Sequence, residues 1–377
     1  QWGLLVFAAG LLIAGLAASM QALIAGRAVQ GLGSGLLGVA LYSAVGQLYP
    51  PNLRPRIFAL FAAAWVLPAV FGPALASFIV YALGWRWVFL SVALLLPVAA
   101  WLVLPAMRAL SVTASAQNSP TTQSRMVYAV LAALAALTVH DYSQDPAGTP
   151  ILQGALGVTL MVWAARQLLP AGTLSARRGL PTIIALRGLL AGSFFATEAF
   201  LPLWLILEHG WTNAAAGLAL TAGGVLWSAG SAIQARVDDA KRRQRLLSVG
   251  LVLVAGGVLG VSALALIGKL PVLVLLAWSL VGLGTGLAFP ALSVLMLELS
   301  PVHQQGLNSS ALQLSDALTT TAALALCGAS FALQTQSPAI KFASSFACAA
   351  LIAVLAAVLV TRITPAKQLQ ADVARTA

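Results

Sequence analysis

A chain of 377 residues that is 60% hydrophobic and only 8% charged, with mean hydropathy +0.95, has more apolar side chain than a soluble core of that size can hide. The composition excludes a soluble enzyme and predicts an all-α polytopic membrane protein. The net charge of +11 would suggest a nucleic-acid partner in a soluble protein. Here its distribution reads as membrane topology, and no nucleic-acid partner is expected.

Apolar spans are expected near 2–20, 24–49, 56–83, 87–106, 126–141, 150–168, 182–207, 213–235, 246–267, 271–297, 307–334 and 340–361. Threaded alternately through a bilayer, they place sixteen of the twenty Lys/Arg on one side, including Arg54, Arg56, Arg108, Arg125, Arg177, Arg178 and the run 241–245. Arg86, Lys269 and Lys341 fall opposite, and Arg27 lies inside a span. An excess of basic loops marks the cytoplasmic side.

The span 24–49 contains RAVQGLGSGLLGVALYSAVGQLYP (27–50), in which Gly31, Gly33, Gly35 and Gly38 leave one side of the helix almost bare for close packing. The stretch recurs 251 residues later. Gly31, Gly33 and Gly35 fall on Gly282, Gly284 and Gly286, Pro50 falls on Pro301, and nine of the twenty pairs from 31/282 to 50/301 are identical. At an offset of 247, Gly3, Leu4, Ala8, Gly10 and Leu12 match Gly250, Leu251, Ala255, Gly257 and Leu259. The chain is therefore an internal duplication, and 24–49 and 271–297 are expected to face each other across a central cavity. In the second copy two spans precede this match. The first copy is accordingly expected to lack two helices and a charged loop, roughly 60–70 residues by the repeat logic, and to show an open groove in their place. GSGLLG (33–38) also fits a dinucleotide-loop spacing, but it lies inside an apolar span with no preceding strand, so no such cofactor is expected.

In the third span, Pro68 and Pro73 each remove a backbone donor and favour a bend, while Gly72 and Ala76 allow close packing. Residues 108–125 are polar, Ser/Thr-rich and proline-marked, and read as a flexible linker. The apolar segments 126–141 and 150–168 follow, outside the repeat and split by HDYSQDPAGTP (140–150). The first is short for a span, so a pair of interfacial helices is a second reading. The expected organisation is thus 1–106 as the first half, 107–180 as linker with two inserted helices, and 181–377 as a six-helix second half.

Charge inside an apolar span is the sharpest functional signal, because each such group costs about 2.5–3.5 kcal/mol at mid-helix. Arg27, with Gln30 a turn later, is either a snorkelling interfacial residue or an inward fixed charge near a proton-carrying acid. Glu198 lies centrally in TEAFLPLW, beside the break expected at Pro202. Asp316 lies about three turns into its span, with Gln313 on the same face. Desolvation favours the protonated form of a buried carboxylate, which suits both acids to proton exchange from a polar cavity. Glu298, at the end of its helix, reads as a partner for a loop arginine. Cys327 and Cys348 lie in apolar helices and the three histidines are scattered, so neither a disulfide nor a metal site is expected.

Several of these stretches resemble one family. Arg27-x-x-Gln30-Gly31-x-Gly33-x-Gly35 is similar to the fourth-helix pattern of drug:proton antiporters of the major facilitator superfamily. WVLPAVFGPALAS (65–77) is similar to their fifth-helix signature at Gly72 and Pro73. It departs from that signature at Pro68, Ala76 and Ser77. GWRWVFL (84–90) fits as well, and ARVDDAKRRQ (235–244) resembles a degraded form of the superfamily's loop signature, with Asp239 at the acidic position followed by Arg242 and Arg243. Two extra helices between the halves resemble the fourteen-helix subgroup. The resemblance implies a monomeric transporter of small hydrophobic or cationic compounds in a bacterial inner membrane, driven by a proton gradient without other cofactors. An uptake symporter or facilitator on the same fold is the alternative. No hydrolase, metalloprotease or nucleotide-loop motif supports a membrane enzyme.

Overall fold

The structure, a computed structural model, describes residues 1–108, 120–144, 151–333 and 337–363. Among them are twelve α-helices: α1 (Trp2–Gly15), α2 (Met20–Leu48), α3 (Arg54–Leu83), α4 (Arg86–Arg108), α5 (Pro120–Gln144), α6 (Ile151–Leu168), α7 (Leu180–His209), α8 (Asn213–Ala235), α9 (Ala240–Ile267), α10 (Leu273–Glu298), α11 (Gln305–Leu333) and α12 (Pro338–Leu359). Every expected span corresponds to one of them. Eight (α2, α4 and α7 to α12) are long and apolar enough to cross a membrane.

Local chemistry sets many of the ends. Ser19 Oγ accepts the N–H of Ala22, Thr212 Oγ1 that of Ala215, and Asp239 Oδ2 that of Arg242, so α2, α8 and α9 each begin on a side-chain cap. α7 and α9 end on Gly210 and Gly268 at positive φ. Two expectations shift. The polar segment before α5 is not linker throughout, since residues 120–125 are helical; residues 109–119 lie outside the described set. The Asp239 cap also starts α9 six residues before the expected span, so the basic run 241–245 is helical rather than loop.

The duplication is visible contact by contact. A methyl group placed on Gly3 would lie 3.1 Å from Leu36 Cβ, and one placed on Gly250 would lie 3.1 Å from Leu287 Cβ, the equivalent atom of the second copy. Gly10 closes on Gln30 as Gly257 closes on Val281, and Gly33 closes on Phe7 as Gly284 closes on Val254. The α1–α2 pair therefore reproduces the α9–α10 pair, through backbone approaches that only small residues permit.

The two copies differ at one face. Gly282 and Gly286 are covered by the backbone of α8 at Gly223 and Trp227, whereas their equivalents Gly31 and Gly35 have nothing within 4 Å. The glycines of α2 thus do not share one bare side: Gly33 packs on α1, while Gly31 and Gly35 lie open on the opposite side. A helix turns about 100° per residue, so positions two apart diverge. α3 runs unbroken across both proline positions, with Pro68 exposed and open space beside Gly72; the side chain of Pro73 lies outside the described residues.

The main core belongs to the second copy, with Trp204, Trp278, Phe342 and Phe346 fully buried among α7, α9, α10 and α12. The first copy joins this core at the end of α2 and the beginning of α3, through Val45, Phe58, Tyr42, Ile57 and Phe61. α5 and α6 pack on each other and α5 on α11, around Ala132, Ala164, Leu168, Leu314 and Leu318.

Candidate functional site

The candidate centre forms where α2, α7, α10 and α11 converge. Gly188 and Gly192 of α7 let Ser315 and Thr319 of α11 come against its backbone, and Ser315 Oγ donates to the carbonyl of Ile184 at 2.9 Å. That contact fixes the rotation of α11. Asp316, one residue on, turns toward Arg187 of α7.

Arg187 is 2% exposed and each of its nitrogens has a partner. Nε donates to Asp316 Oδ1 and Oδ2 at 3.1 and 3.0 Å, Nη1 to Ser293 Oγ at 2.6 Å and to the Phe289 carbonyl at 3.2 Å, and Nη2 to Tyr42 Oη at 3.0 Å. The guanidinium also lies 3.2 Å from the centroid of the Phe289 ring. Burying such a charge costs several kcal/mol unless it is paired and hydrogen-bonded. Here three helices, α2, α10 and α11, satisfy it, and one of them, α2, comes from the other copy.

Gln313, one turn before Asp316, places Oε1 against Gly38 of α2, and its buried Nε2 has no hydrogen-bond partner. Farther along the same side of α2, Ser43 faces Gly306, and Gly46 meets Gln305 and Leu297. Along α2 the copies therefore touch from Gly38 to Gly46, toward the basic ends of the helices, and part at Gly31 and Gly35, while α3 packs against α8 as a second, larger line of contact. α2 meets α11 and Arg187 of α7 along this seam, and reaches α10 at Leu297, rather than facing α10 across a cavity along its length.

The second acid stands apart. Glu198 lies eleven residues beyond Arg187 on α7, about 16 Å at 1.5 Å per residue. It is half-buried, with no ion-pair partner among the described residues. Phe194, one turn before it, begins an aromatic path: Phe194 to Trp227 at 4.9 Å, Trp227 to Phe289 at 5.2 Å, and Phe289 to Arg187. Ser193 Oγ and Trp227 Nε1 are buried beside this path without partners.

Arg27 is exposed and faces no acid within the described residues; its Nη1 donates to Gln30 Oε1 at 2.6 Å. At the basic end, Arg243 Nη1 pairs with Glu298 Oε1 at 2.8 Å, and Arg243 Nη2 donates to the carbonyl of Val237. The partner of that acid is therefore an arginine in the first turn of α9 rather than the loop arginine expected. Arg242 is exposed and contributes its backbone N–H to the Asp239 cap. Arg54 ties the α2–α3 turn through the carbonyls of Gly46 and Tyr49. No group of three or more potential metal ligands occurs among the described residues.

Arg187 is the residue that sequence reasoning missed. Its span starts on the basic side, where an arginine reads as a mark of topology, yet it is a buried member of the centre. Its signal is present all the same: TIIALRGLL puts an arginine within an apolar run, and a carboxylate of matching depth occurs in α11.

An apolar helical bundle built on an internal duplication, whose two copies meet at the Tyr42–Arg187 bond, fits a polytopic membrane protein of the transporter type. Residues 1–323 match the family model of the Major Facilitator Superfamily. The chain belongs to that superfamily. It is 27% identical over 311 residues to the probable multidrug-efflux transporter Rv1634 of Mycobacterium tuberculosis, covering 78% of this chain and 65% of that one. It is 36% identical over 88 residues to multidrug resistance protein 3 of Bacillus subtilis, covering 23% of this chain and 17% of that protein. Thus the chain spans less than two thirds of the length of these curated relatives. Among solved structures, the human organic anion transporter MFSD10 superimposes with a TM-score of 0.66 at 17% identity, covering 95% of this chain and 75% of that one. The proton:xylose symporter XylE gives 0.63 at 14% identity, covering 98% and 82%.

Proposed function

We propose that this chain is the core of a secondary transporter of a bacterial inner membrane, which exports small hydrophobic or cationic compounds against proton influx. The observation that carries the reading is the Arg187 junction. A buried guanidinium balanced by Asp316 and bonded to Tyr42 of the other copy ties the protonation of an acid to the contact between the copies. With Asp316 ionised, the charge is compensated and the seam holds. When Asp316 takes a proton, the guanidinium loses its counter-charge in a low-dielectric site and the seam loses stability. A ligand or proton shifts an alternating-access equilibrium only through such a difference between states.

Glu198 supplies the substrate side of the scheme. A half-buried carboxylate without an ion-pair partner among the described residues offers a cation its charge, and substrate and proton compete for it. Arg27, exposed on α2, and Gln30, which accepts its hydrogen bond and packs toward α1, contribute to the same path in this reading. The name of the mycobacterial relative supports efflux, and the two acids inside apolar helices support a proton gradient as the energy source. The protein works as a monomer in this reading.

The bare face at Gly31 and Gly35 supports a longer working transporter of the fourteen-helix subgroup, in which a helix equivalent to α8 covers that face. The α5–α6 pair then forms the two inserted helices. XylE, on the same fold, is a symporter, so the direction of transport is decided by assay. In vesicles with an imposed proton gradient, Glu198→Gln in a transport-competent protein is expected to abolish efflux of a fluorescent cation while insertion stays intact. Full activity would remove Glu198 from the scheme and leave coupling to Asp316 alone, and uptake driven by the same gradient would replace export with symport.

A further inference from the structure

A second polar site lies away from the centre, at the basic end of the groove between α9 and α12. Lys241, Gln244, Arg245 and Ser248 of α9 and Val360 and Ile363 at the end of α12 line a cavity of about 290 Å³. Lys241 and Arg245 are exposed and have no ion-pair partner among the described residues. They stand one helical turn apart, where like charges repel. The nearest acid on the same element, Asp239, accepts the backbone N–H of Arg242 as the helix cap. The hydroxyl of Ser248 donates to the carbonyl of Gln244.

The stripe that carries the two cations then becomes apolar. Continuing at helical spacing from Ser248, it passes Val252, 58% exposed, Gly256, with nothing within 4 Å, and Leu259, 49% exposed. On α12, Val358, Leu355 and Leu351 are likewise exposed. A soluble anion would engage the cations alone. A molecule with an anionic head and hydrocarbon chains matches both parts, and the membrane supplies one at this depth.

We propose that the α9–α12 groove is a binding site for an anionic phospholipid, with its phosphate between Lys241 and Arg245 and an acyl chain along Val252, Gly256 and Leu259. The proposal does not depend on the direction or coupling of transport.

The test is native mass spectrometry of the purified full chain with dioleoyl phosphatidylglycerol or dioleoyl phosphatidylcholine, which share their chains and differ in head-group charge. Wild type is expected to retain the first preferentially. Lys241→Gln/Arg245→Gln should reduce that retention about thirtyfold, equivalent to about 2 kcal/mol at 1.4 kcal/mol per factor of ten, or about 1 kcal/mol for each basic residue near the membrane surface. Lys269→Gln/Lys341→Gln, at the opposite ends of the helices, should not. If the double variant fails to fold, Ser248→Glu keeps both cations and should reduce retention by placing a carboxylate one turn beyond Arg245, in the same cavity. Equal retention of the two lipids by wild type, or undiminished retention in the variant that folds, overturns the proposal. Loss of the preference in millimolar inorganic phosphate, with phosphate retained instead, would show a soluble-anion site and overturn it too.

Discussion

Replacing Asp316 by asparagine is the most direct perturbation of the centre, because it removes a charge while nearly preserving shape. The guanidinium of Arg187 keeps Ser293, the Phe289 carbonyl and Tyr42, and the amide oxygen of asparagine can still accept from Nε. What is lost is charge compensation at a site where the arginine is 2% and the aspartate 20% exposed. Removing one partner of a buried pair costs about 3–5 kcal/mol. The surviving hydrogen bonds place the expected cost near the lower end, about 3 kcal/mol, which is roughly a hundredfold in a conformational equilibrium. Unfolding equilibria in mixed micelles measure it. Asp316→Asn should be the least stable, and the neutral pair Arg187→Gln/Asp316→Asn should recover part of the loss, since removing both partners leaves no orphan charge. If Asp316→Asn unfolds like wild type, or the double variant is no more stable than Asp316→Asn, the junction is not balanced by this pair and the coupling argument fails.

Tyr42→Phe removes only the hydroxyl that Arg187 reaches, a bond to a charged donor worth about 1.5–3 kcal/mol. Spin labels at the exposed Tyr49 and Val302 should report a wider distribution of distances between the copies; an unchanged distribution would mean that apolar packing alone holds the seam. Gly33→Ala drives a methyl group into the backbone of Phe7 and should cost about 1–3 kcal/mol, while Gly31→Ala, in open space, should stay within about 0.5 kcal/mol in this chain. In a longer protein that carries the additional helices, Gly31→Ala should become as costly as Gly33→Ala; persistent neutrality there would remove the support for a helix on that face. Glu298→Gln leaves Arg243 buried without its counter-charge and should lower thermal stability, with partial recovery in Arg243→Gln/Glu298→Gln.

The helices were legible because a bilayer demands long apolar runs with internally satisfied backbones, and little else in the chain could meet that demand. Asp316 and Gln313 were legible for the same reason, as polar residues where polarity is costly. Arg187 was not, because seven residues from the start of a helix an arginine reads equally well as a snorkelling end residue. Only the contact with Asp316, 129 positions away, separates the two readings. The opposite roles of Gly31 and Gly33 follow from helical rotation and could have been read from spacing. Which of the two sides was covered depended on the α1 and α8 contacts, which a sequence does not display.

The mirrored glycine contacts also set an order of assembly. α1 with α2, and α9 with α10, are neighbours in the chain joined by short turns, so each pair can close as soon as both helices are in the bilayer. Local contacts of this kind form early. The Tyr42–Arg187 bond joins residues 145 apart, and the contact of Gly38 with Gln313 joins residues 275 apart, so the complete seam must wait for α11. Each copy therefore starts from the same hairpin, and the seam is the last part to be made. Substitutions at Gly10, Gly33, Gly257 or Gly284 should accordingly reduce the yield of inserted protein during synthesis, whereas substitutions at Tyr42 or Gly38 should leave yield intact and alter only the finished molecule.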